Sequence, residues 1–385
     1  MKQKQEKKSI AYVSGTRADF GLMTSVLSAI ERDSDLDLQM FAIGMHLMPK
    51  YGYTFKEVRE FFPNVQKIHV LIEHDTREAL SYFLSDCMRE IIQAFIRKRP
   101  DMALVLGDRA EMLAVSLACL YLRIPVGHIH GGDITGTIDE TTRHTITKLS
   151  HIHFAATYNG AKRIRQMGEE SWRIHMVGSP SLDGILSKRI ISAVEVCKFL
   201  HIPCQQKYIL LTVHPETDST IQNQKNICEV LSAVQTFNMP VIIIYPNADP
   251  GSMKMIKEIE KYRRNPLFRI YESIPYDLFL AIEKNASVWV GNSSAGIIES
   301  ASFHKPVVNI GNRQEGRVRT KNVIDVPFQK KAIVEAIKRS LTDHDFLRMI
   351  AAVRNPWGDG KSAKRIVKIL HGLRLDQTLL TKRMN

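Results

Sequence analysis

Short apolar runs alternate with longer amphipathic segments along most of this chain, and that alternation limits the folds it can adopt. In the first half the apolar runs predict strands at residues 9–13, 36–43, 68–72, 102–106, 126–130 and 152–155. Residues 19–32, 76–98 and 110–122 lie between them and carry apolar side chains at helical spacing. Strands that alternate with helices of this length are typical of βαβ units around a parallel sheet. The first half is therefore predicted to be α/β.

The second half repeats this pattern, with strands predicted at residues 208–213, 241–245, 268–271, 287–290 and 307–310 and helices at 220–237, 253–261, 276–284 and 295–303. At 385 residues the chain exceeds the size at which one core usually stops growing. We therefore predict two Rossmann-like domains that face each other across a cleft. A break at residues 177–180 places the domains at 1–178 and 179–360, and residues 361–385 are predicted to form a helix that packs back on the N-terminal domain.

The chain carries excess positive charge, with 53 Lys and Arg against 40 Asp and Glu and a formal net charge of +13. Such a balance is one sign of nucleic-acid binding. No predicted helix, however, combines a sustained basic face with interleaved aromatic residues, which nucleic-acid binders use. An anionic substrate or a solvated surface explains the charge better, and we expect no nucleic-acid partner.

Cysteine usage and hydropathy indicate the compartment. The five cysteines form no C-x-x-C pair, which is typical of reduced thiols in the cytosol. No apolar run approaches the length of a membrane-spanning helix, and the run at residues 10–13 is too short for the core of a signal peptide. We therefore expect a cytoplasmic protein with no membrane partner.

The loop at residues 128–140 is the strongest candidate for a functional site. It reads His-Ile-His-Gly-Gly-Asp-Ile-Thr-Gly-Thr-Ile-Asp-Glu and comes at the end of a predicted buried strand. Ligands of open α/β sheets bind outside the carboxyl ends of the strands. Two histidines and three acidic residues at that place can move protons near neutral pH. The alternative is a polar turn that leads to a capped helix.

Two further strand ends in the first half carry polar groups. Residues 14–19, Ser-Gly-Thr-Arg-Ala-Asp, follow the first strand, and small residues there allow Arg17 to meet a phosphate. The alternative is a turn with a surface arginine. Asp108, in Gly107-Asp108-Arg109, follows the strand at 102–106. It is either an acid beside the loop at 128–140 or only the N-cap of the next helix.

Strand ends in the second half carry a different set of groups. His214 ends the strand at 208–213 and faces the predicted cleft, unless it is a hydrogen-bonded loop histidine. Ser293 and Ser294 precede a helix, so they predict either a phosphate cradle or a simple serine N-cap. Glu299 lies within reach of ribose hydroxyls, and Arg313 follows the strand at 307–310.

Metal and serine-hydrolase chemistry are not indicated. The histidine pairs at residues 128 and 130 and at 151 and 153 have no further Cys or His at the spacing of a zinc site, so no metal is expected. The chain also lacks the G-x-S-x-G turn of α/β-hydrolases.

Taken together, these motifs resemble the hydrolysing UDP-N-acetylglucosamine 2-epimerase family, which has the GT-B fold. The similarity extends over nearly the whole chain. It rests on Gly15-Thr16-Arg17-Ala18-Asp19, Gly107-Asp108-Arg109, Gly131-Gly132 through Gly136-Thr137-Ile138-Asp139 with Arg143-His144, His214-Pro215-Glu216-Thr217, Tyr245-Pro246-Asn247, Gly291-Asn292-Ser293-Ser294 with Glu299, and Gly311-Asn312-Arg313-Gln314 with Gly316-Arg317.

The resemblance implies a UDP-sugar substrate, no added cofactor and a homodimer. Enzymes of this family remove the C2 proton and expel the nucleoside diphosphate to give a 2-acetamidoglycal, to which water adds. By the family pattern Asp108, Asp139 and His214 carry acid–base roles. The residues expected to bind substrate are Arg17, Arg109, Asp133, Arg143, Asn247, Ser293, Ser294, Glu299 and Arg313.

His130 departs from the family pattern, because sialic-acid-type members commonly have Glu at this place, in His-Ile-Glu-Gly-Gly. His130 either takes over that catalytic acid–base role or marks a different sugar. The second option favours the branch that acts on UDP-N,N'-diacetylbacillosamine in legionaminic acid synthesis. The main alternative is UDP-N-acetylglucosamine, the route to N-acetylmannosamine and sialic acid. A GDP-linked sugar, a GT-B glycosyltransferase and a non-catalytic sugar-nucleotide sensor also stay open.

Overall fold

The computed structural model describes residues 7–187, 190–216 and 222–383. The strands of these residues form two parallel sheets, one in each half of the chain. The N-terminal half contains β1 (Lys8–Ser14), β2 (Leu36–Ala42), β3 (Gln66–Lys67), β4 (Met102–Leu106), β5 (Val126–Ile129), β6 (Ile152–Ala155) and β7 (Ile174–Met176). The C-terminal half contains β8 (Ile209–Thr212), β9 (Val241–Ile244), β10 (Phe268–Tyr271), β11 (Val288–Gly291), β12 (Val307–Ile310) and β13 (Val323–Val326).

Helices connect these strands. In the N-terminal half they are α1 (Arg17–Glu31), α2 (Phe55–Phe61), α3 (Arg77–Arg97), α4 (Ala110–Leu122), α5 (Ile138–Leu149) and α6 (Tyr158–Gln166). The helices that follow are α7 (Ser181–Ser187), α8 (Ala193–Leu200), α9 (Asn223–Val234), α10 (Ser252–Glu260), α11 (Tyr276–Asn285), α12 (Ser294–Ile298), α13 (Lys330–Thr342), α14 (His344–Ala351), α15 (Ser362–Gly372) and α16 (Gln377–Leu380).

Both sheets have the strand order of a doubly wound fold. The first runs β3-β2-β1-β4-β5-β6-β7 and the second runs β10-β9-β8-β11-β12-β13. The order therefore reverses between β1 and β4 and again between β8 and β11, and ligands of such sheets bind at the reversal. The predicted pair of Rossmann-like α/β units is confirmed. The motifs at residues 14–19, 107–109, 214–216 and 291–294 all lie at these two reversal points.

Most predicted elements agree with the structure to within three residues, but some differ in type or extent. The strand predicted at residues 68–72 is wrong. The strand found in this region, β3, covers only Gln66–Lys67 and pairs with the last two residues of β2. Ile68, Val70 and Ile72 are buried between exposed neighbours, so their alternation reflects an extended segment packed on the core. The helix predicted at 295–303 is divided into α12 and a 3-10 turn, Ser300–Phe303.

The third difference concerns the strand predicted at residues 126–130, which ends at Ile129. His130 has φ +62, a left-handed conformation that a strand does not allow. Among the described elements, β7, β13, α2, α6, α7, α8, α13 and α14 were not predicted, and α5 was expected only as the capped-helix alternative for the loop at 128–140. The helix predicted at 361–385 is divided into α15 and α16. Residues 220 and 221 of the helix predicted at 220–237 lie outside the described residues, and α9 begins at Asn223.

The C-terminal segment returns to the N-terminal half. Helix α15 packs against α1, and its side chains Ile366 and Leu370 are buried in the core of the N-terminal sheet. The chain therefore passes between the halves twice, before α7 and again after α14. Among the described helices, none is long and apolar enough to span a membrane.

Candidate active site

Two adjoining cavities lie in the cleft between the halves. The first has about 690 Å³ of empty space and is lined from both halves, among others by Arg17, His214, Asn247, Ser293, Ser294 and Glu299. The second has about 660 Å³ and is lined, among others, by Asp108, Arg109, His130, Arg143, Arg313 and Arg317. Asn247 and Ser294 border both cavities. The structure thus places most of the predicted site residues in one cleft.

The turn after β1 holds Arg17 at the first cavity. Thr16 caps α1 by accepting a hydrogen bond from the Asp19 amide, and the Asp19 carboxylate accepts one from the Thr16 amide in return. The Arg17 guanidinium donates to the carbonyl of Ile274 in the other half and lies over the Phe279 ring, 5.4 Å from its centroid. Arg17 is therefore a contact between the halves as well as a cation in the cleft.

Asp108 follows β4 and forms an ion pair with Arg143 of α5. Arg143 is almost fully buried and also donates to the carbonyl of Asp133 at 3.0 Å. The alternative role of Asp108 as an N-cap is wrong, because Arg109 occupies that position and α4 has no side-chain cap. Arg143 therefore holds one predicted acid and the loop at 128–140 together.

Arg109 reaches across the cleft. Its Nη1 lies 3.7 Å from Asp249 of the C-terminal half, and its Nε lies 3.4 Å from Glu111. Burial acts to lower the pKa of Arg109, but Glu111 and Asp249 outweigh it and raise the pKa above its usual value. Neither Glu111 nor Asp249 was predicted as a site residue. Glu111 comes two residues after the predicted motif Gly107-Asp108-Arg109, and Asp249 comes two residues after Asn247 in the loop that follows β9.

Asp139 faces the C-terminal half from the first turn of α5, where Thr137 caps the helix. Its Oδ2 lies 3.9 Å from Nη2 of Arg313, which also donates to the carbonyl of Asn292 at 3.1 Å. The loop before α5 touches the other half directly, since a Cβ added at Gly136 would lie 2.2 Å from the carbonyl oxygen of Asn312. The capped-helix alternative for this loop is thus correct locally, but the loop also forms a wall of the cleft.

His214 is held in one orientation at the end of β8. Asn292 accepts from the His214 amide at 2.7 Å and donates to its carbonyl at 2.9 Å. The ring Nδ1 accepts from the Asn247 amide at 3.2 Å, so the neutral imidazole carries its proton on Nε2. Burial, Arg313 and Arg109 lower the pKa of His214 well below its usual value. Thr217, the last residue of this predicted motif, lies outside the described residues.

The turn after β11 forms part of the wall of the first cavity. Gly291 has φ +140, and a Cβ there would lie 1.9 Å from the carbonyl oxygen of Thr212, so the turn requires glycine. Ser293 occupies the N-cap position of α12 without a side-chain cap bond, so the serine-cap alternative is wrong in that respect. Ser293 and Ser294 both line the first cavity.

Glu299 ends α12 and is buried. Burial raises its pKa to about 7, and hydrogen bonds with Glu283 and Ser181 offset part of that effect. Burial and the neighbouring Glu299 raise the pKa of Glu283 well above its usual value. The two carboxyls are therefore not both ionised at neutral pH. Glu283 was not predicted, because its helical spacing in α11 resembles that of an ordinary polar position.

His130 is buried between three partners. Its Nδ1 lies 3.1 Å from Asp133 Oδ2, its Nε2 lies 2.9 Å from Ser179 Oγ, and its ring stacks on Trp357 at a centroid distance of 5.7 Å. Both ring nitrogens thus have hydrogen-bond partners. This arrangement does not suit the predicted role of a free acid or base, which needs one nitrogen open to the substrate.

Comparison with known proteins agrees with this geometry. A family model described as UDP-N-acetylglucosamine 2-epimerase matches residues 28–371. The chain belongs to this family. It is 35% identical to the UDP-N,N'-diacetylbacillosamine 2-epimerase (hydrolyzing) of Legionella pneumophila, over 97% of the chain and 98% of that protein. It is also 35% identical to a UDP-N-acetylglucosamine 2-epimerase of Neisseria meningitidis, over 86% of the chain and 87% of that protein.

Solved structures of epimerases share the fold. The crystal structure of a Neisseria meningitidis UDP-GlcNAc 2-epimerase bound to UDP-GlcNAc superposes with a TM-score of 0.79 at 21% identity, covering 95% of this chain and all of the other. A Staphylococcus aureus MnaA–UDP structure superposes with a TM-score of 0.75. The GT-B architecture predicted for this epimerase-family chain is confirmed.

Proposed function

We propose that this protein is a hydrolysing nucleotide-sugar 2-epimerase that converts UDP-N,N'-diacetylbacillosamine to 2,4-diacetamido-2,4,6-trideoxymannose and UDP. One observation carries the proposal: carboxylates of the N-terminal half face cations of the C-terminal half in one cleft, with Asp139 opposite Arg313. The full-length similarity to the Legionella pneumophila enzyme supports the choice of substrate. The product suits a place in legionaminic acid synthesis.

The proposed reaction has two steps. In the elimination, the carboxylate of Asp108 or Asp139 takes the C2 proton, the C2–H electron pair forms the C1–C2 double bond, and the C1–O bond to UDP breaks. In the second step, the other carboxyl delivers a proton to C2 on the opposite face and water oxygen adds to C1. The proton that water loses returns to that carboxyl, and the proton taken in the first step is released to solvent. Because C2 is weakly acidic, the base must be well placed and the leaving diphosphate must be stabilised. In this proposal the carboxylates of the cleft supply the base, and its cations stabilise the leaving diphosphate.

His214 has a narrower role in this proposal than its sequence context predicts. Its neutral ring presents Nε2–H, since Nδ1 accepts the Asn247 amide. A donor at this place stabilises charge that develops on the leaving diphosphate. We therefore propose that His214 donates a hydrogen bond to the diphosphate, while the carboxylates exchange the C2 proton. No cofactor is needed for either step.

The remaining predicted residues divide between the two parts of the substrate. We propose that residues 179–360 bind the nucleotide, through Arg17 of the other half together with Asn247, Ser293, Ser294, Glu299 and Arg313. Residues 1–178 would bind the sugar, through Arg109, Asp133 and Arg143 beside the catalytic acids. The cavities support most of this division. Arg17, Asn247, Ser293, Ser294 and Glu299 line the first cavity, and Asp108, Arg109 and Arg143 line the second. Arg313 also lines the second cavity, and Asp133 lines neither.

A side-by-side product assay tests the sugar. We expect UDP release from UDP-N,N'-diacetylbacillosamine with kcat/KM roughly tenfold or more above that for UDP-N-acetylglucosamine, as a site that recognises added polar groups discriminates strongly. The reverse preference would favour the N-acetylmannosamine route to sialic acid. A GDP-linked donor is included as a third substrate, and faster turnover of that donor would contradict the choice of UDP.

The same assay separates the epimerase from its two rivals. A GT-B glycosyltransferase would release no UDP without an acceptor, so UDP release from the donor alone excludes that function. A sugar-nucleotide sensor would bind the nucleotide sugar but show no turnover, even without any substitution. For the epimerase, Asp108→Asn and Asp139→Asn should abolish turnover while UDP binding is largely retained.

We also propose a homodimer and a cytoplasmic location. Exposed apolar side chains on α3 and α4, namely Tyr82, Ile96 and Tyr121, offer a face for a second copy. Light scattering after size exclusion should give twice the chain mass of 43.8 kDa. Tyr82→Glu with Tyr121→Glu should give the single-chain mass. All five cysteines are free thiols, which supports a reducing compartment.

A further inference from the structure

The arginines that line the second cavity differ in how they are held. They are Arg109, Arg143, Arg313 and Arg317. Arg109 and Arg143 form ion pairs with carboxylates, and Arg313 donates to a backbone carbonyl. Among the described residues, none accepts a hydrogen bond from the Arg317 guanidinium or forms an ion pair with it, and its Nε is buried without a partner. The donors of Arg317 are therefore available to a ligand.

The loop after β12 holds Arg317 through its backbone. The Arg317 amide donates to the carbonyl of Gln314 at 3.3 Å, and Nε of Arg319 donates to the Arg317 carbonyl at 3.2 Å. The Gln314 side chain in turn donates to the carbonyl of Asn292 at 2.9 Å. These bonds fix the position of the residue and leave its guanidinium unused. Little ordering is therefore needed when a ligand binds there.

An aromatic ring limits where the Arg317 guanidinium can move. Its central carbon, Cζ, lies 5.9 Å from the centroid of the Trp357 ring. Trp357 is fully buried, and its indole Nε1 donates to the carbonyl of Val318 at 3.1 Å. An arginine beside an aromatic ring is restricted by that ring but keeps all of its N–H donors. Trp357 thus positions the guanidinium without using any of these donors.

Acidic residues of the N-terminal half lie beside Arg317. The residue before it, Gly316, packs against Ile134, since a Cβ added at Gly316 would lie 2.5 Å from Ile134 Cδ1. Asp133 and Asp139 belong to the same loop as Ile134, and their negative charges act on the guanidinium. Because carboxylates repel a diphosphate, an uncharged acceptor such as an amide carbonyl suits Arg317 better.

The geometry of a pyranose ring indicates which substituent reaches Arg317. C1 carries the diphosphate, and C4 lies across the ring from C1. In the proposed function the nucleotide occupies the first cavity, which shares Asn247 and Ser294 with the second. Arg317 belongs to the lining of the second cavity, together with Asp108. If C1 lies at the shared border and C2 faces the catalytic acids, C4 extends into the second cavity.

We propose that Arg317 selects the sugar by donating a hydrogen bond to the carbonyl oxygen of the acetamido group at C4. UDP-N,N'-diacetylbacillosamine has this group, whereas UDP-N-acetylglucosamine has a hydroxyl there. The hydroxyl oxygen is bonded directly to the ring, so it extends less far than the acetamido carbonyl does. A site that hydrogen-bonds one substituent discriminates against an analogue that lacks it. Arg317 is thus a specificity-determining residue, and this inference rests on the proposed function.

Kinetics of Arg317→Met with the two UDP-sugars test this role. Methionine is also a long, unbranched side chain but has no N–H donor. We expect kcat/KM for UDP-N,N'-diacetylbacillosamine to fall about 10- to 100-fold, as the loss of a hydrogen bond from a charged group does. For UDP-N-acetylglucosamine it should stay nearly unchanged, so the preference of the wild type largely disappears. An equal loss with both sugars, or no loss with either, overturns the proposal.

Two further variants separate contact with the sugar from damage to the loop. Arg319→Met removes bonds that hold the loop, so it should lower kcat/KM for both sugars alike. Arg348→Met, on the exposed surface of α14, should change neither value. If Arg317→Met does not fold, Arg317→Gln, which has a shorter side chain without charge, takes its place with the same expectation.

NMR of arginine side chains gives a readout besides turnover. The protein is labelled with ¹⁵N-arginine, and Arg317→Lys assigns the Arg317 Nε–H signal. UDP together with 2,4-diacetamido-2,4,6-trideoxymannose should shift this signal. UDP alone, or UDP with N-acetylmannosamine, should leave it in place. A shift of the same size with UDP alone shows that the guanidinium binds the diphosphate, and this result overturns the proposal.

Failure of this inference and failure of the proposed function give different results. If the wild type releases UDP from neither sugar, the proposed function is overturned and this inference with it. If the wild type prefers UDP-N,N'-diacetylbacillosamine and Arg317→Met keeps that preference, the proposed function stands. Only the role of Arg317 is then overturned.

Discussion

Asp139 and Arg313 face each other across the cleft, with Oδ2 of one 3.9 Å from Nη2 of the other. The separation is too long for a hydrogen bond, so both groups can turn to a substrate. Each comes from a different half of the chain. An acid of the N-terminal half and a cation of the C-terminal half therefore meet at one point of the cleft.

Asp139→Asn should lower kcat by about 10²- to 10⁴-fold, the usual contribution of an acid–base group. UDP affinity should be unchanged or slightly tighter, because the substitution removes a negative charge beside Arg313. Steady-state kinetics and calorimetry with UDP measure the two effects. Asp345→Asn, on the exposed surface of α14, is the control and should leave both unchanged. Weaker UDP binding with unchanged kcat would contradict the role of Asp139.

The ion pair of Asp108 and Arg143 predicts a different response for each partner. Asp108→Asn keeps an acceptor for the buried guanidinium, so the fold should survive while kcat falls strongly. Arg143→Lys should also lower kcat, because an ammonium cannot bridge Asp108 and the Asp133 carbonyl as the planar guanidinium does. Thermal unfolding and kinetics of both variants together separate a loss of stability from a loss of kcat. Full activity in Arg143→Lys would contradict the bridging role.

Local patterns in the sequence were sufficient for the parts of the site that follow a strand directly. Asp108, His214 and Ser293 stand at the ends of β4, β8 and β11, where topology alone brings polar groups to the cleft. The strand β4 and the helix α4 were predicted to the residue. Apolar runs and helical periodicity are sufficient to predict the bounds of these two elements, because both pack into the core along their whole length.

Groups that act through distant partners could not be predicted in this way. Glu283 and Asp249 owe their roles to Glu299 and Arg109, which are far away in sequence. Ser179 was noted only as part of a break between domains. The short edge strand β13 escaped prediction because its sequence, Val-Ile-Asp-Val, is only partly buried. Long-range contacts, rather than the local sequence pattern, determine the roles of Glu283, Asp249 and Ser179 and the formation of β13.

His214 should keep a single tautomer across the working pH range. Burial and two arginines hold its pKa well below the usual value, so the ring stays neutral at pH 6. The Asn247 amide, which donates to Nδ1, then places the proton on Nε2. Nitrogen chemical shifts of labelled His214 should show the Nε2–H form from pH 6 to pH 8, with His214→Gln for assignment. A titration centred near 6.5 would contradict this environment.

Glu169 should make stability depend on acid pH. Its burial acts to raise the pKa, but hydrogen bonds from His153, Lys148 and Lys382 outweigh that effect and lower the pKa to about 2. The lowered pKa stabilises the fold above the unfolded value near 4.5, and this contribution is lost as the pH falls towards 2.

The Glu169→Gln variant isolates that contribution. Its difference in unfolding free energy from the wild type, measured with urea, should shrink by about 1.4 kcal/mol between pH 6 and pH 3.5, since one pKa unit corresponds to that energy. Glu335→Gln, at an exposed position of α13, is the control and should show no such trend. A difference that stays constant down to pH 3.5 would contradict the role of Glu169.

Asp75 of the N-terminal half caps a helix of the C-terminal half. Its Oδ1 accepts from the Gly251 amide at 2.8 Å and its Oδ2 from the Met253 amide at 3.0 Å, at the start of α10. Gly251, the N-cap residue, has no side chain to do this itself. The cap therefore exists only while the halves hold their present arrangement, and it links the arrangement to the stability of α10.

Asp75→Ala should cost about 0.5–2 kcal/mol, as the loss of an N-cap usually does, and should favour a more open arrangement of the halves. Small-angle scattering should show a larger radius of gyration for this variant without ligand. Asp343→Ala is the matched control, because Asp343 caps α14 through the Phe346 amide within its own half. That control should lose similar stability with no change in scattering. If both variants scatter alike, the cap on α10 does not hold the halves together.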